Sequence, residues 1–296
     1  SRQYLLQAEE YDREAGDATD DVSTITAELS AAQARNKAAI DEKDGITVSW
    51  ENELAEKKLV QQAQSTMNSY YQLQQQLKAA EKSRELTEAN VNATKNRQTV
   101  QMATQADVLA AQQSLEDADA QILSLTNQIE TTRKKLITMT GWKQDAVPEI
   151  KAMPEVDLER LAAFNPAADL AKAQENDYTL KIDTRQAANV TNGSNQKIYA
   201  QNVANDTQQI AVALNTAYQS VQQAKAAYDE AALNLEVSQR SMNKASVQYQ
   251  VGSISRLEYL QAESGFVSAQ TGLEVKRLAL LQAMENYSWI VKGVRS

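Results

Sequence analysis

The residue types that most often carry chemistry are absent from this sequence. It holds no histidine and no cysteine, which removes the common general base and metal ligand, thiol nucleophiles and disulfides. Its carboxylates are numerous, but no spacing pairs them in a pocket context. There is no phosphate-cradling glycine loop and no nucleophile–base pair, so the chain reads as non-enzymatic, with no cofactor and no metal. The informative residues lie instead at a short break, Tyr249-Gln250-Val251-Gly252-Ser253-Ile254-Ser255-Arg256. Gly252 is the sole glycine between Gly193 and Gly265, and it can take the positive φ that reversing a helix requires. Ser253 or Ser255 then offers a hydroxyl to cap the next helix. Asp107 and Glu258 each fall in the first turn of a helix, where the dipole favours an acid.

The elements that position these residues are long helices. Upstream of the break, small or apolar residues recur at three- and four-residue spacing through Ile210, Leu214, Ala217, Val221, Ala224, Tyr228, Ala231, Leu235, Ser238, Met242, Ala245 and Tyr249. Downstream the spacing restarts through Tyr259, Ala262, Phe266, Ala269, Leu273, Lys276, Leu280, Ala283, Tyr287 and Ile290. A sustained 3.5-residue period is the mark of a coiled-coil seam. With 3 prolines, 8 glycines and 5% aromatics in 296 residues, and no β-branched alternation, the chain reads as all-α. The net charge of −9, with acids and bases mixed along the helices, speaks against a nucleic-acid grip. No apolar run approaches the ~20 residues of a membrane-spanning helix.

In chain order, a short helix over Tyr4–Glu14 precedes one capped at Asp20 or Ser23 that ends at Ile40. Asp41 to Gly45 read as a stop, Ile46-Thr47-Val48 as a scrap of extended chain, and Ser49 as the next cap. A rod over about 49–98 follows, with Leu59, Ala63, Met67, Tyr70, Leu73, Leu77 and Ala80 in its stripe; ~50 residues make a helix of roughly 75 Å. The frame resets at a tip over about 99–104. A return helix over about 105–140 carries Val108, Ala111, Leu115, Ala118, Ile122, Leu125, Ile129, Thr132, Leu136 and Met139, and Gly141 ends it. Pro148, Pro154 and Pro166 cluster in a connector over 142–165, with a turn of helix near Asp157–Ala163. The order then repeats over 166–296: a helix over about 167–188, a loop over 189–195, a rod over about 196–248, a tip over about 249–255 and a return helix over about 256–292. Asp107-Val108-Leu109 aligns with Glu258-Tyr259-Leu260 at an offset near 151 residues. This is a duplication, with 1–141 as the first repeat.

Hairpins with small, amide-rich seams cannot bury a conventional core alone. A water-lined helical tube built by several copies fits that composition; a long exposed coiled-coil hairpin would look similar. The pattern Tyr249-x-Val251-Gly252-Ser253, followed by Leu257-Glu258-x-Leu260-Gln261-Ala262-Glu263 and ~30 helical residues to Gly293, resembles the second repeat of the TolC-like outer-membrane efflux proteins. Ala106-Asp107-Val108-Leu109-Ala110-Ala111-Gln112 through Gly141 resembles the first repeat, and the connector with Pro148, Pro154 and Asn165-Pro166 resembles the link between repeats.

The resemblance implies a homotrimer forming a tapering α-helical barrel in the cell envelope. Its hairpin tips would dock onto a periplasmic or extracytoplasmic membrane-fusion adaptor and its inner-membrane pump, in efflux or secretion. The docking turn would be Val251, Gly252 and Ser253, with the divergent Val100, Gln101 and Met102 in the first repeat. Tyr249, Asp107, Glu258, Ile254 and Arg256 would sit at the constriction. There the two acids are either helix-dipole residues or an acidic ring attracting cations, and Tyr249 packs in the seam with its hydroxyl reaching across the tip to Asp107. Ile254 stands where related proteins often carry a basic residue, with Arg256 two residues on, which weakens any ionic latch. A larger departure is that family members insert two β-strands between the first two helices of each repeat. The 41–49 and 189–195 segments are too short for the ~9–11 residues per strand that a bilayer needs. The resemblance therefore implies a duct that does not span a membrane by itself, whether by nature or by engineering. No leader is visible, so the alternatives are a removed targeting segment or a cytoplasmic coiled-coil scaffold or tether.

Overall fold

The computed structural model describes residues 2–17, 21–143, 150, 153–189 and 193–295. Among them all regular structure is helical: α1 (Arg2–Asp17), α2 (Asp21–Thr99), α3 (Gln105–Met139), α4 (Leu158–Ala162), α5 (Pro166–Asn176), α6 (Tyr178–Asn189), α7 (Gly193–Gln250) and α8 (Arg256–Val291). The chain divides into two units, one of residues 1–58, 167–214 and 290–296, the other of 59–166 and 215–289.

Two expectations are corrected here. The stop at Asp41–Gly45 and the extended scrap at Ile46–Val48 do not form, because α2 is one unbroken helix of 79 residues. Ser23 and Ser49 therefore lie within α2 rather than before its start. A lone glycine costs a helix interior only about 1 kcal/mol relative to alanine, and no proline in the run forbids the helix. Thr47 is buried while Ile46 and Val48 are exposed. The single helix expected over 167–188 is instead two, α5 and α6, divided at Asp177. The expected cap Asp20, Pro148 and the centre of the 189–195 loop lie outside the described residues.

In the larger unit α2 packs antiparallel to α3 on one side and to α8 on the other. Arg84 Nε meets Asp119 at 2.5 Å and Thr66 Oγ1 meets Met139 Sδ at 3.8 Å, so separations grow evenly away from the reversal between α2 and α3. Against α8, Lys82 pairs with Glu263 at 2.6 Å, Asn68 Nδ2 donates to the Leu278 carbonyl at 2.8 Å, and Trp289 Nε1 donates to Gln64 Oε1 at 2.8 Å. The densest apolar packing is on α8, where Leu278, Leu280, Met284 and Tyr287 are each at most 1% exposed. Tyr287 also stacks on Phe164, with centroids 4.3 Å apart. The connector is fastened to α8 by arginines: Arg160 binds Glu285 at 2.7 Å and Ser288 at 2.6 Å, and Arg277 donates to the Pro154 carbonyl at 2.7 Å. Asp157 caps α4 through the Arg160 amide, so the expected turn of helix is present.

In the smaller unit the turn after α8 lies against the α5–α6 junction. Asn176 Nδ2 donates to the Val291 carbonyl at 2.9 Å, and the Tyr178 amide donates to the Gly293 carbonyl at 3.3 Å. Gly293 has φ +86, and a Cβ there would stand 2.1 Å from the Asn176 carbonyl oxygen. Gly141 has φ +73 with nothing within 4 Å. Replacing Gly141 by alanine should cost only the left-handed strain of about 1 kcal/mol. Gly293→Ala should cost clearly more, because the α5–α6 junction must also move. Urea midpoints of the two variants check this; equal losses would contradict the close approach.

Candidate functional site: two matched helix-reversal tips

Both hairpin tips use the same two devices in sequence. The first ends a helix. At the end of α2 the Gln101 amide donates to the Gln98 carbonyl at 2.9 Å and the Met102 amide to the Arg97 carbonyl at 2.8 Å. At the end of α7 the Gly252 amide donates to the Tyr249 carbonyl at 3.0 Å and the Ser253 amide to the Gln248 carbonyl at 2.8 Å. These paired bonds are the Schellman pattern, which needs a left-handed residue at its centre. Gly252 supplies it at φ +73 and Gln101 at φ +61; among the described residues Gln101 is the one non-glycine with positive φ.

The second device starts the return helix. Thr104 accepts from the Asp107 amide at 3.2 Å, while its own amide and hydroxyl donate to Asp107 Oδ2 at 2.7 and 2.8 Å. Ser255 accepts from the Glu258 amide at 3.2 Å and donates in the same way to Glu258 Oε2 at 2.7 and 2.8 Å. These are capping boxes. Gln101 and Gly252, Thr104 and Ser255, and Asp107 and Glu258 each stand 151 residues apart, so the duplication holds at the level of individual hydrogen bonds. The choice left open for the two serines resolves by role: Ser255 is the cap, and the Ser253 hydroxyl donates to the Gln248 carbonyl at 2.9 Å.

Asp107 and Glu258 are thus committed to their own helix starts. Hydrogen bonds from the Thr104 and Ser255 backbone, and then from their hydroxyls, hold both carboxyls below the usual carboxylate range. Tyr249 does not reach Asp107, whose carboxylate is taken up by Thr104; its ring stacks on Tyr259 with centroids 4.9 Å apart. What the tips present outward is apolar: Val100, Met102 and Val251 are 62%, 77% and 73% exposed, while Ile254 is half-buried. Arg256 is exposed and makes no ion pair among the described residues. It stands at the lip of a groove of about 470 Å³ between α2 and the start of α8, whose α2 wall carries Glu85, Glu88, Asn92 and Asn96. The sequence reading missed this groove and the Thr104 cap. The cap's signal was present, as a Thr or Ser three residues before an acid at both tips.

The arrangement offers rigid apolar knobs on capped helix ends and no reacting group. No helix of the described residues is long and apolar enough to cross a membrane. No protein-family model and no curated protein matches the sequence. Solved structures do match the fold. The outer membrane protein VceC of Vibrio cholerae is similar with a TM-score of 0.57 at 13% identity, over 90% of this chain and 76% of that one. The CmeC outer membrane channel of Campylobacter jejuni gives 0.59 at 13% identity, over 88% and 68%. CusC, described in connection with transmembrane channel formation, gives 0.61 at 14% identity, over 89% and 75%. The chain has the TolC-like fold of these channels.

The matched tips allow a test by opposite signs. Gln101→Gly should stabilise the first tip by up to about 1 kcal/mol by removing left-handed strain, whereas Gly252→Ala should destabilise the second by a similar amount. Thr104→Ala and Ser255→Ala should each cost about 1 kcal/mol of local helix stability, read as faster amide exchange in the first turns of α3 and α8. The pH dependence follows from the lowered carboxyls. Their capping contribution is complete above the ordinary carboxylate pKa and is lost as pH falls through the depressed values. Exchange at the two helix starts should therefore quicken, after correction for intrinsic rates, only in strong acid. Loosening already near neutral pH would contradict the capping geometry.

Proposed function

We propose that this chain is a protomer of a TolC-like helical duct, a non-enzymatic channel component of a multipartite efflux or secretion system in the cell envelope, which docks through its hairpin tips to a membrane-fusion adaptor. The observation that carries the reading is the pair of matched tips. Each is a capped reversal that holds exposed apolar side chains in one geometry, and a turn serving only to join helices has no need of Val100, Met102 and Val251 in water.

A second observation supports assembly from several copies. Off the buried seam, α7 exposes Leu233, Val237 and Val247, and α3 exposes Leu109 and Leu123. Leu109 and Leu123 are two heptads apart, and Leu233, Val237, Val247 and Val251 fall in one heptad frame. A second apolar stripe on each hairpin suits contact between the second repeat of one copy and the first repeat of the next, closing a ring. Three copies, as the family resemblance implies, would surround a water-filled axis with roughly a dozen helices. Selectivity would then rest with the pump, as the family resemblance implies.

Gly252→Leu tests the docking role. A branched side chain fills the tip and resists positive φ, so binding of an adaptor hairpin should be abolished while thermal unfolding changes little. Val100→Asp should weaken binding less, because Gln101 already stands in place of the glycine. Ser253→Ala should cost on the order of 1 kcal/mol. Normal binding by a folded Gly252→Leu chain would reduce the tip to a turn.

A further inference from the structure

The turn after α8 is fastened by one guanidinium. Arg295 binds Asp177 side-on, through Nε to Oδ2 at 2.7 Å and Nη2 to Oδ1 at 3.0 Å, and the same Nη2 donates to Asp206 Oδ1 at 3.0 Å. Its Nη1 donates to Gln209 Oε1 at 3.2 Å. Asp177 is 1% exposed and also caps α6, its Oδ1 accepting from the Leu180 amide at 2.8 Å. The cluster leaves one atom unaccounted for. Asp206 is 7% exposed, and its second oxygen, Oδ2, is buried without a hydrogen bond from any N–H or hydroxyl of the described residues. A buried carboxylate oxygen left bare forfeits the hydration it has in the unfolded chain and gains no hydrogen bond in return. The group facing it from α6 is another carboxyl, Asp183.

We propose that Asp183 carries a proton toward the bare Asp206 Oδ2, and that this proton governs the closure of α6 onto α7 where Arg295 fastens the turn after α8. Protonated Asp183 is the missing donor to Asp206 Oδ2. Deprotonated, it sets a second negative charge against Asp206 and competes for the one guanidinium. Asp183 is held above the usual carboxylate range, first by burial, then by the charge of Asp206 and the hydrogen bond to it, with Arg295 opposing. Other charged groups of α2 and α6 have named partners of their own. From α2, Lys57 and Glu53 bind the Tyr178 hydroxyl; on α6, Lys181 lies over the Tyr178 ring and Arg185 over Trp50. Because the folded-state pKa is raised, the closure is complete below the ordinary carboxylate pKa and is lost as pH rises through the raised value. This inference is independent of the duct assignment.

The test uses the full chain and its Asp183→Asn variant, whose amide can donate to Asp206 Oδ2 at every pH. Amide exchange of α6 is measured from about pH 4, the ordinary aspartate value, to about pH 8 and corrected for intrinsic rates. Wild-type protection should fall several-fold across the range, while Asp183→Asn should stay flat. Carboxyl ¹³C titration of the wild type should in addition give Asp183 a midpoint above ordinary aspartate, which keeps the test decisive if the variant folds poorly. Parallel profiles for both chains, or an ordinary Asp183 midpoint, overturn the proposal.

Discussion

A long helix cannot reverse in a few residues unless one of them enters the left-handed region. This chain meets that demand twice, at Gln101 and Gly252. Each left-handed residue closes the orphan carbonyls of the outgoing helix, and a hydroxyl–carboxyl pair three residues later satisfies the orphan amides of the returning one. With both ends pinned, the register of the antiparallel pair follows. In the first hairpin Gln98 meets Gln105, Arg84 meets Asp119 and Thr66 meets Met139 at growing separations from the same pivot. Seam, exposed stripe and tip all inherit their positions from the reversals.

Much of this was legible because seam periodicity and caps are local. Every upstream seam residue from Ile210 to Ala245 is buried or half-buried, as is the α3 series from Val108 to Met139; Tyr249 and Lys276 are the exposed exceptions. The break expected at Asp41–Ser49 failed for a physical reason: a charged run with one glycine resembles a loop in composition, yet nothing in it forbids a helix, as a proline would. Where proline does occur it is tolerated in a first turn, as Pro166 is at the start of α5.

On the inner face of α2 the stripe of Ala63, Met67, Tyr70, Leu73, Leu77 and Ala80 is buried or half-buried as read, with Leu59 exposed, but the polar residues buried among them were not legible. That face buries Thr66, whose hydroxyl donates to the Gln62 carbonyl and meets Met139 Sδ of α3, and Asn68, whose amide donates to the Leu278 carbonyl and Gln282 of α8. Polar contacts between residues some two hundred positions apart leave no local trace. The same holds for Arg295, Asp177, Asp183 and Asp206, which come together only once α5 and α6 part at Asp177. At the tips the acids serve as caps, the tyrosine stacks on its neighbour across the reversal, and the outward surface belongs to valine and methionine.

The central claim is that these hairpins close into a multi-copy tube, and single-particle electron microscopy of the chain at high concentration tests it most directly. The account predicts rings of three copies around a solvent-filled axis, with the paired tips gathered at one end. Particles that remain single chains at every concentration, with Leu123, Leu233 and Val237 facing solvent, would contradict it.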